Sequence, residues 1–368
     1  MSNRGTAVRI ILWFLGLTVV CLLFYLAFWP VSVRPVAWIA PEDNGYTGDF
    51  TQNDRLAALD FVDLDGRVGP EDADIGPDGL VYVATHGGEI LRIGEDGRAA
   101  SFAQTQGRPL GLEFAADGTL YVADAHRGLL AIDRLGQVTV LANQVEDASP
   151  ILYADDVDIA ADGTVYFSDA STRFGAQQYG GTLAASVLDL IEHSANGRIL
   201  KYEPGTGKTS VFADGMTFAN GVAVNEADDA VFVVETGEYR VWRFPRDGSA
   251  GQVILENLPG FPDNISNAPD GTFWVGLVSP RNALMDKLSG HAFLRRVIMR
   301  LPEALKPAPT RYGFIIRMDG EGRVLETLQD PKGKYALTTG AVTLPDGRIA
   351  VTSLTEPRLG LLRKMGGN

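Results

Sequence analysis

A chain of 368 residues with 46 acidic and 32 basic side chains carries a formal charge of −14, which argues against nucleic acid as a partner. With 45% hydrophobic and 21% charged residues it is globular rather than disordered, and its 42 glycines and 19 prolines, scattered at the ends of short apolar runs, exclude a helical bundle and read as turn-rich all-β structure. The single cysteine, Cys21, rules out an intrachain disulfide and a thiolate zinc site.

In chain order the first element is an apolar run. From Ile10 to Val33 there are 24 residues without a charge, enough to cross a hydrocarbon core of about 30 Å as a helix. Arg4 and Arg9 precede the run and the first acid is Glu42. The positive-inside tendency then places the N-terminus in the cytoplasm and the body outside it, in the periplasm, the cell exterior or a lumen. The run exceeds the usual length of a signal-peptide core and no small-x-small site follows it closely, so an uncleaved anchor is expected over a cleaved signal. Residues 1–40 form this anchor and linker, and residues 41–368 form the body.

Six phrases then repeat: "PDGLVYVATH", "ADGTLYVADAH", "ADGTVYFSDAS", "ADDAVFVVETG", "PDGTFWVGLVS" and "PDGRIAVTSL", with turn aspartates at Asp78, Asp117, Asp162, Asp228, Asp270 and Asp346. Asp-Gly supplies the positive φ angles of a tight hairpin, and the β-branched and aromatic residues after it read as a buried strand. With other short strands around each copy, the pattern predicts an all-β, six-bladed β-propeller, because radial repetition leaves only short sheet edges. The strand "ALDFVDLDG" near Asp60 is expected to complete the last blade. Two stretches interrupt the repeat, residues 172–195 in the third blade and residues 280–313 in the fifth, and loops of this size are commonly functional. The second contains "ALMDKLSGHAFLRRVIMRLPEAL", amphipathic at helical spacing, which reads either as a lid or membrane-surface helix or as an ordinary packing helix.

Seven residues before each turn aspartate stand Glu71, Leu110, Asp155, Asp263 and Thr339. In the fourth blade Asn220 stands eight before, which implies an extra residue in that strand. The first strand of a propeller blade is innermost, so these positions ring the channel mouth. Converging acids repel and lose hydration unless a cation joins them. Carboxylate and amide oxygens suit a hard ion, and calcium accepts such ligands at irregular geometry. The expected metal set is therefore Glu71, Asp155, Asn220, Asp263 and Asn264, with Ca2+ as the ion. Residues seven to nine past the aspartates overlook the same mouth, which places His86, His126, Asp124, Asp169 and Glu235 on a rim of proton-transfer groups. His193 and His291 fall in the two insertions and have weaker claims.

The phrases "GPEDADIGPDG", "GRPLGLEFAADGTLYVADAHRGLL", "FANGVAV" and "LPGFPDNIS…GTFWVG" resemble the strictosidine synthase-like six-bladed propellers over residues 69–362. They are most similar to the adipocyte plasma membrane-associated protein branch, which also has an N-terminal anchor and the "GFPDNI" phrase. A more distant resemblance to paraoxonases and the gluconolactonase group implies calcium in the channel and hydrolysis of lactones, aryl esters or phosphotriesters. On those motifs Glu71, Asn220, Asp263 and Asn264 match the ligand positions. Where relatives have Asn-Asp this chain has Asp155-Asp156. Leu110 occupies the place of one member of the paraoxonase-type histidine pair, leaving His126 for the other. Between Lys334 and Asp346 there is no carboxylate, which strictosidine synthase proper needs on its last inner strand, so amine–aldehyde condensation is not expected.

Two other signals are set aside. "EPGTGKTS", residues 203–210, lacks the first glycine of a phosphate-binding loop and joins strand to strand with no helix N-terminus to receive an anion. No G-x-S-x-G elbow is present. The expected function is a membrane-anchored, calcium-dependent hydrolase of small lactones or aryl esters. In it His126 or a rim acid activates water, or Asp263 acts as nucleophile as well as ligand. The alternative is a calcium-stabilised propeller that binds a ligand or partner without catalysis.

Overall fold

The computed structural model describes residues 3–363, and its strands form six antiparallel sheets of four. Blade one comprises β2 (Ala73–Ile75), β3 (Val81–Ala84), β4 (Glu89–Ile93) and β5 (Ala99–Gln104), after β1 (Asp60–Asp63). Blade two comprises β6 (Pro109–Phe114), β7 (Leu120–Asp124), β8 (Gly128–Ile132) and β9 (Val138–Ala142), and blade three β10 (Ala154–Ile159), β11 (Val165–Asp169), β12 (Gly197–Glu203) and β13 (Lys208–Met216). Blade four holds β14 (Ala219–Val224), β15 (Ala230–Glu235), β16 (Arg240–Pro245) and β17 (Gln252–Leu255), and blade five β18 (Gly260–Asn267), β19 (Phe273–Pro280), β20 (Gly313–Met318) and β21 (Val324–Asp330). Blade six is β22 (Thr338–Thr343), β23 (Ile349–Ser353) and β24 (Arg358–Leu362), with β1 as its fourth strand. The strand near Asp60 thus completes the last blade, as its sequence suggests. Apolar side chains of neighbouring blades fill the space between them; Val62, Leu64, Val83, Leu91, Ala350 and Leu359 do so between blades six and one.

The repeated turns work differently from the expected hairpin. Only the glycine is left-handed, at φ 77° for Gly79 and 86° for Gly118. The aspartate instead accepts a hydrogen bond from the backbone N–H two residues on, as Asp78 does from Leu80 at 3.1 Å and Asp117 from Thr119 at 2.8 Å. The fourth blade corrects the register. There Asp228 takes the glycine's place at φ 57°, and Val224 pairs with Val231 where Ile159 pairs with Val165. The extra residue is Asp229, in the turn, and β14 is of ordinary length. Counted from the left-handed residue, all six inner positions are equivalent.

Five of those positions, all but that of blade one, coincide with an irregularity. The ladder slips between Pro109 and Leu112, Ala154 and Val157, Ala219 and Val222, Pro262 and Ile265, and Thr338 and Ala341. A bulge leaves two residues outside the alternation of faces and re-aims their side chains. This is how Asp263 and Asn264, adjacent in sequence, serve one site. The inner strands also approach closely: a Cβ on Gly221 would stand 2.5 Å from Ile265 N, so no side chain fits there.

The chain divides into two units. One is the propeller, formed by Pro41–Leu190, Ser194–Arg281 and the chain from Pro309 on. The other runs to Ala40 and takes in Ile191–His193 and Asn282–Ala308. Its main element is α1 (Asn3–Phe28), of which Thr6–Phe28 is long and apolar enough to cross a membrane. The helix stops at Phe28, short of the end of the uncharged run, because Pro30 has no N–H and disfavours helix in the residue before it. The insertion of blade three carries α2 (Thr182–Glu192), and that of blade five carries α3 (Ala283–Lys287) and α4 (Ala292–Met299). The amphipathic run is therefore two helices, broken at Ser289 and Gly290.

Candidate metal and catalytic site at the channel mouth

Glu71, Asp155, Asn220, Asp263 and Asn264 are all buried in the propeller unit. Asn220 Nδ2 donates to Asp263 Oδ1 at 2.5 Å and to Thr236 Oγ1 at 3.2 Å. Asn264 Nδ2 donates to Glu71 Oε1 at 3.4 Å and to the Glu71 carbonyl at 3.3 Å. Each amide thus turns its N–H2 toward a neighbour and its oxygen away. Glu71 Oε2, Asn220 Oδ1 and Asn264 Oδ1 are left buried without a hydrogen-bond partner. Burying such acceptors unpaired costs stability, so three together need an explanation.

The acids carry the same message. Burial, then the charge of Asp263, pushes the Glu71 carboxyl well above its usual range, and Arg108 acts against both. Burial followed by Glu71 and Asp263 does the same to Asp155. Asp263 is pushed up to about 7 by burial, against the pull of the Asn220 hydrogen bond. Burial of this cluster thus disfavours the ionised form of all three carboxyls, and the charge of Arg108 acts against this at Glu71 and Asp155. A hard cation would remove both difficulties at once, since it would take up the orphaned oxygens and favour the ionised carboxylates, and an all-oxygen donor set is of the kind that suits calcium. Among the described residues no three acids, histidines or cysteines alone could hold an ion; here the donors are acids and amides together.

A second acidic tier, which sequence reasoning missed, has a structural role. Asp72 Oδ2 accepts from Leu112 N at 2.8 Å and Asp74 Oδ2 from Phe114 N at 2.7 Å. Asp156 Oδ2 accepts from Val222 N at 2.8 Å and Asp158 Oδ2 from Val224 N at 2.6 Å. Blades one and three therefore satisfy the open N–H edge of the inner strands of blades two and four, which would otherwise go unpaired. Burial raises Asp74 to about 6 and Asp158 to about 7.

The most informative residue that the sequence did not flag is Arg108. It is 3% exposed. Nη1 donates to the Pro109 carbonyl at 3.1 Å, while Nε and Nη2 are buried without partners. Its charge acts on Glu71, Asp155 and Asp124, and its own desolvation lowers its pKa. Leu110, at the register position of blade two, supplies no oxygen; Arg108, two residues earlier, supplies the blade's contribution. Beside it His126 is half-buried with Nε2 unpartnered. His86 is exposed, and desolvation, then Arg108 and His126, pull its imidazole below the usual value.

The three rim acids are less available than their positions suggest. Asp169 accepts from Leu152 N and Tyr153 N and pairs with Arg198 at 2.9 Å. Glu235 accepts from Thr217 N, from Arg240 Nε at 2.7 Å and from Trp242 Nε1 at 2.6 Å. Asp124 Oδ1 accepts from the backbone of Arg108, His126 and Arg127, and only its Oδ2 is unpartnered. The end of each second strand is where the loop entering the first strand brings its N–H groups, so an acid there fixes the loop. His193 and His291 lie in the other unit, where His193 stacks on Trp38 at 3.9 Å between ring centres.

Six four-stranded sheets, with acid and amide oxygens gathered from their inner strands, define a six-bladed propeller. The fold matches a gluconolactonase from Xanthomonas campestris at a TM-score of 0.60 and 16% identity, over 83% of this chain and 90% of that one. It matches regucalcin, a calcium-binding protein from Agrobacterium tumefaciens, at 0.58 and 16%, over 83% and 93%. The family model described as "Strictosidine synthase-like, N-terminal" matches residues 48–93 and "Strictosidine synthase" matches residues 155–249. An adipocyte plasma membrane-associated protein from Salmo salar is 30% identical over 97% of this chain and 91% of its own length. The Arabidopsis thaliana protein strictosidine synthase-like 10 is 33% identical over 84% and 88%. The chain belongs to the strictosidine synthase-like family.

Proposed function

We propose that this chain is a membrane-anchored, calcium-dependent hydrolase of lactones or aryl esters that works at the channel mouth. The observation that carries the proposal is the set of orphaned oxygens on Glu71, Asn220 and Asn264 beside the buried carboxyls of Asp155 and Asp263. These five residues would hold the ion. When bound, calcium supplies the positive charge that polarises an ester carbonyl and makes a nearby water more acidic. Arg108 offers two preorganised N–H groups, Nε and Nη2, to the negative charge that develops on the carbonyl oxygen. His126 Nε2 is free to take the proton of the attacking water. Asp263 Oδ1 is already committed to Asn220, which favours a holding role over a nucleophilic one. The gluconolactonase among the fold's solved examples supports the substrate class, and regucalcin supports the ion. The apolar Thr6–Phe28 helix supports the anchor, with Arg4 and Arg9 on its cytoplasmic side.

A calcium-stabilised propeller that binds without catalysis is the second reading, favoured by the engagement of Asp169 and Glu235 in internal bonds and by Leu110. Full-length protein in detergent is assayed against a panel of lactones and aryl acetates, with and without chelator, alongside a thermal melt. Turnover that stops on chelation and in Asp263→Ala supports the enzyme. A melt that falls on chelation with no turnover of any ester supports the binding module, and turnover indifferent to both changes would refute the metal site.

A further inference from the structure

The unit built on α1 exposes an apolar surface with no part in the propeller's chemistry. α4 turns Arg295 and Ile298 inward and leaves Phe293 and Leu294 exposed at 52% and 42%. Arg296 is exposed on the same helix. The C-cap residue, Arg300, is buried. Its Nε donates to the Trp29 carbonyl at 2.6 Å and its Nη1 to the Leu26 carbonyl at 2.9 Å, while the Tyr25 hydroxyl donates to the Arg300 carbonyl at 3.2 Å. Trp29 and Leu26 carry carbonyls that the end of α1 leaves unpaired, and a cation there also complements the helix dipole. The other side of α4 is fixed as well. Arg295, buried to 1% exposure, donates to the carbonyls of Ile191, Ser289 and Val36. The chain leaving α1 is thus bonded to the α3–α4 segment rather than hanging as a free tether.

We propose that α4 is a membrane-interface helix whose Phe293–Leu294 face rests in the outer boundary of the same bilayer that α1 crosses. The proposal rests on the reading of α1 as a membrane anchor. The 23 residues of Thr6–Phe28 rise about 34 Å at 1.5 Å each, close to a core of about 30 Å. The last turn of α1 therefore stands at the boundary, where exposed Phe28 and Trp29 fit the aromatic belt. A helix hydrogen-bonded to that turn is held at the same level. With apolar residues on one side and Arg296 beside them, it has the makeup of a helix lying in the interface, its cation among lipid phosphates.

The test uses the full chain in vesicles of phosphatidylcholine and phosphatidylglycerol, with nitroxide lipids quenching a fluorophore on a single cysteine. The natural Cys21 reports on α1; Phe293→Cys and Leu294→Cys, each in a Cys21→Ala background, report on α4. We expect the label at residue 21 to be quenched most by a deep nitroxide. The labels at 293 and 294 should be quenched by a shallow nitroxide roughly twofold or more over the deep one, as for a helix seated about 5–10 Å into the boundary. Quenching at residue 21 with none at 293 and 294 overturns the interface helix and leaves the anchor standing, including the case in which those labels respond only to protein concentration and a second copy covers the face. No quenching at residue 21 overturns the anchor, and the interface helix with it.

Discussion

Replacing Asp263 by asparagine should stabilise the protein when calcium is withheld and weaken it when calcium is supplied. In the ion-free fold burial raises the Asp263 carboxyl from 3.8 to about 7. The folded chain then binds the proton more tightly than the unfolded chain, so stability falls as pH rises from about 4 to about 7 and stays reduced above that. A displacement of about three pKa units corresponds to about 4 kcal/mol at pH 8. Asparagine has the same shape, keeps an oxygen to accept from Asn220 Nδ2 and carries no charge, so it recovers most of that cost. The melting temperature in chelator at pH 8 should rise by about 5–10 °C, and the rise should shrink to less than half at pH 5, because the unfolded chain's carboxyl ionises from about pH 4 upward while the folded one is still protonated. Calcium at a hundredfold excess over its Kd adds about 2.7 kcal/mol to a chain that binds it only when folded; the variant should lose most of this gain. Scanning calorimetry of full-length protein at both pH values, with chelator or calcium, reads all four states. A variant that melts below wild type at pH 8 in chelator, or an equal calcium shift in both proteins, would refute the account of Asp263 as a strained ligand.

Arg108→Gln should lower kcat/KM for a cleaved ester by about a hundredfold while the calcium-induced melting shift persists; undiminished hydrolysis would remove Arg108 from the site. Asp169→Ala leaves Arg198 buried without its carboxylate and should cost about 3–5 kcal/mol of stability, so an unchanged melt would return Asp169 to the list of free rim acids. Arg295→Met deprives three carbonyls of their donor and should weaken local closure by about 2 kcal/mol, seen as roughly thirtyfold faster amide exchange across residues 33–40. Protection that does not change would show that the linker is held by other contacts.

The blades were legible because a turn plus a strand is local chemistry: an aspartate that bonds two residues ahead and a glycine that turns left-handed mark each inner hairpin whatever surrounds it. The donors Glu71, Asp155, Asn220 and Asp263 followed from spacing, since each stands the same distance before the left-handed residue of its turn. Arg108 was not legible. In "GRPLG" it reads like any surface arginine, and only the folded chain shows Asp124 collecting its N–H and that of His126 at one point. The pairing of Asp169 and Glu235 was not legible, because their partners Arg198 and Arg240 come from the third strands, which spacing along the first two does not reveal. The attachment of α4 to α1 was hidden for a related reason: a single arginine, Arg300, 271 and 274 residues from the two carbonyls it meets, leaves no local trace.

β1 lies beside β24, with Asp60 opposite Leu361 and Asp63 opposite Arg358. Every oxygen of the candidate ion site has left the ribosome well before Arg358 does, yet until that residue emerges the sheets form an open arc. A nonsense codon or a proteolytic cut that removes β24 would therefore strip the site of its shape without deleting one of its ligands. Assembly of the candidate ion site then depends on the pairing of β1 with β24.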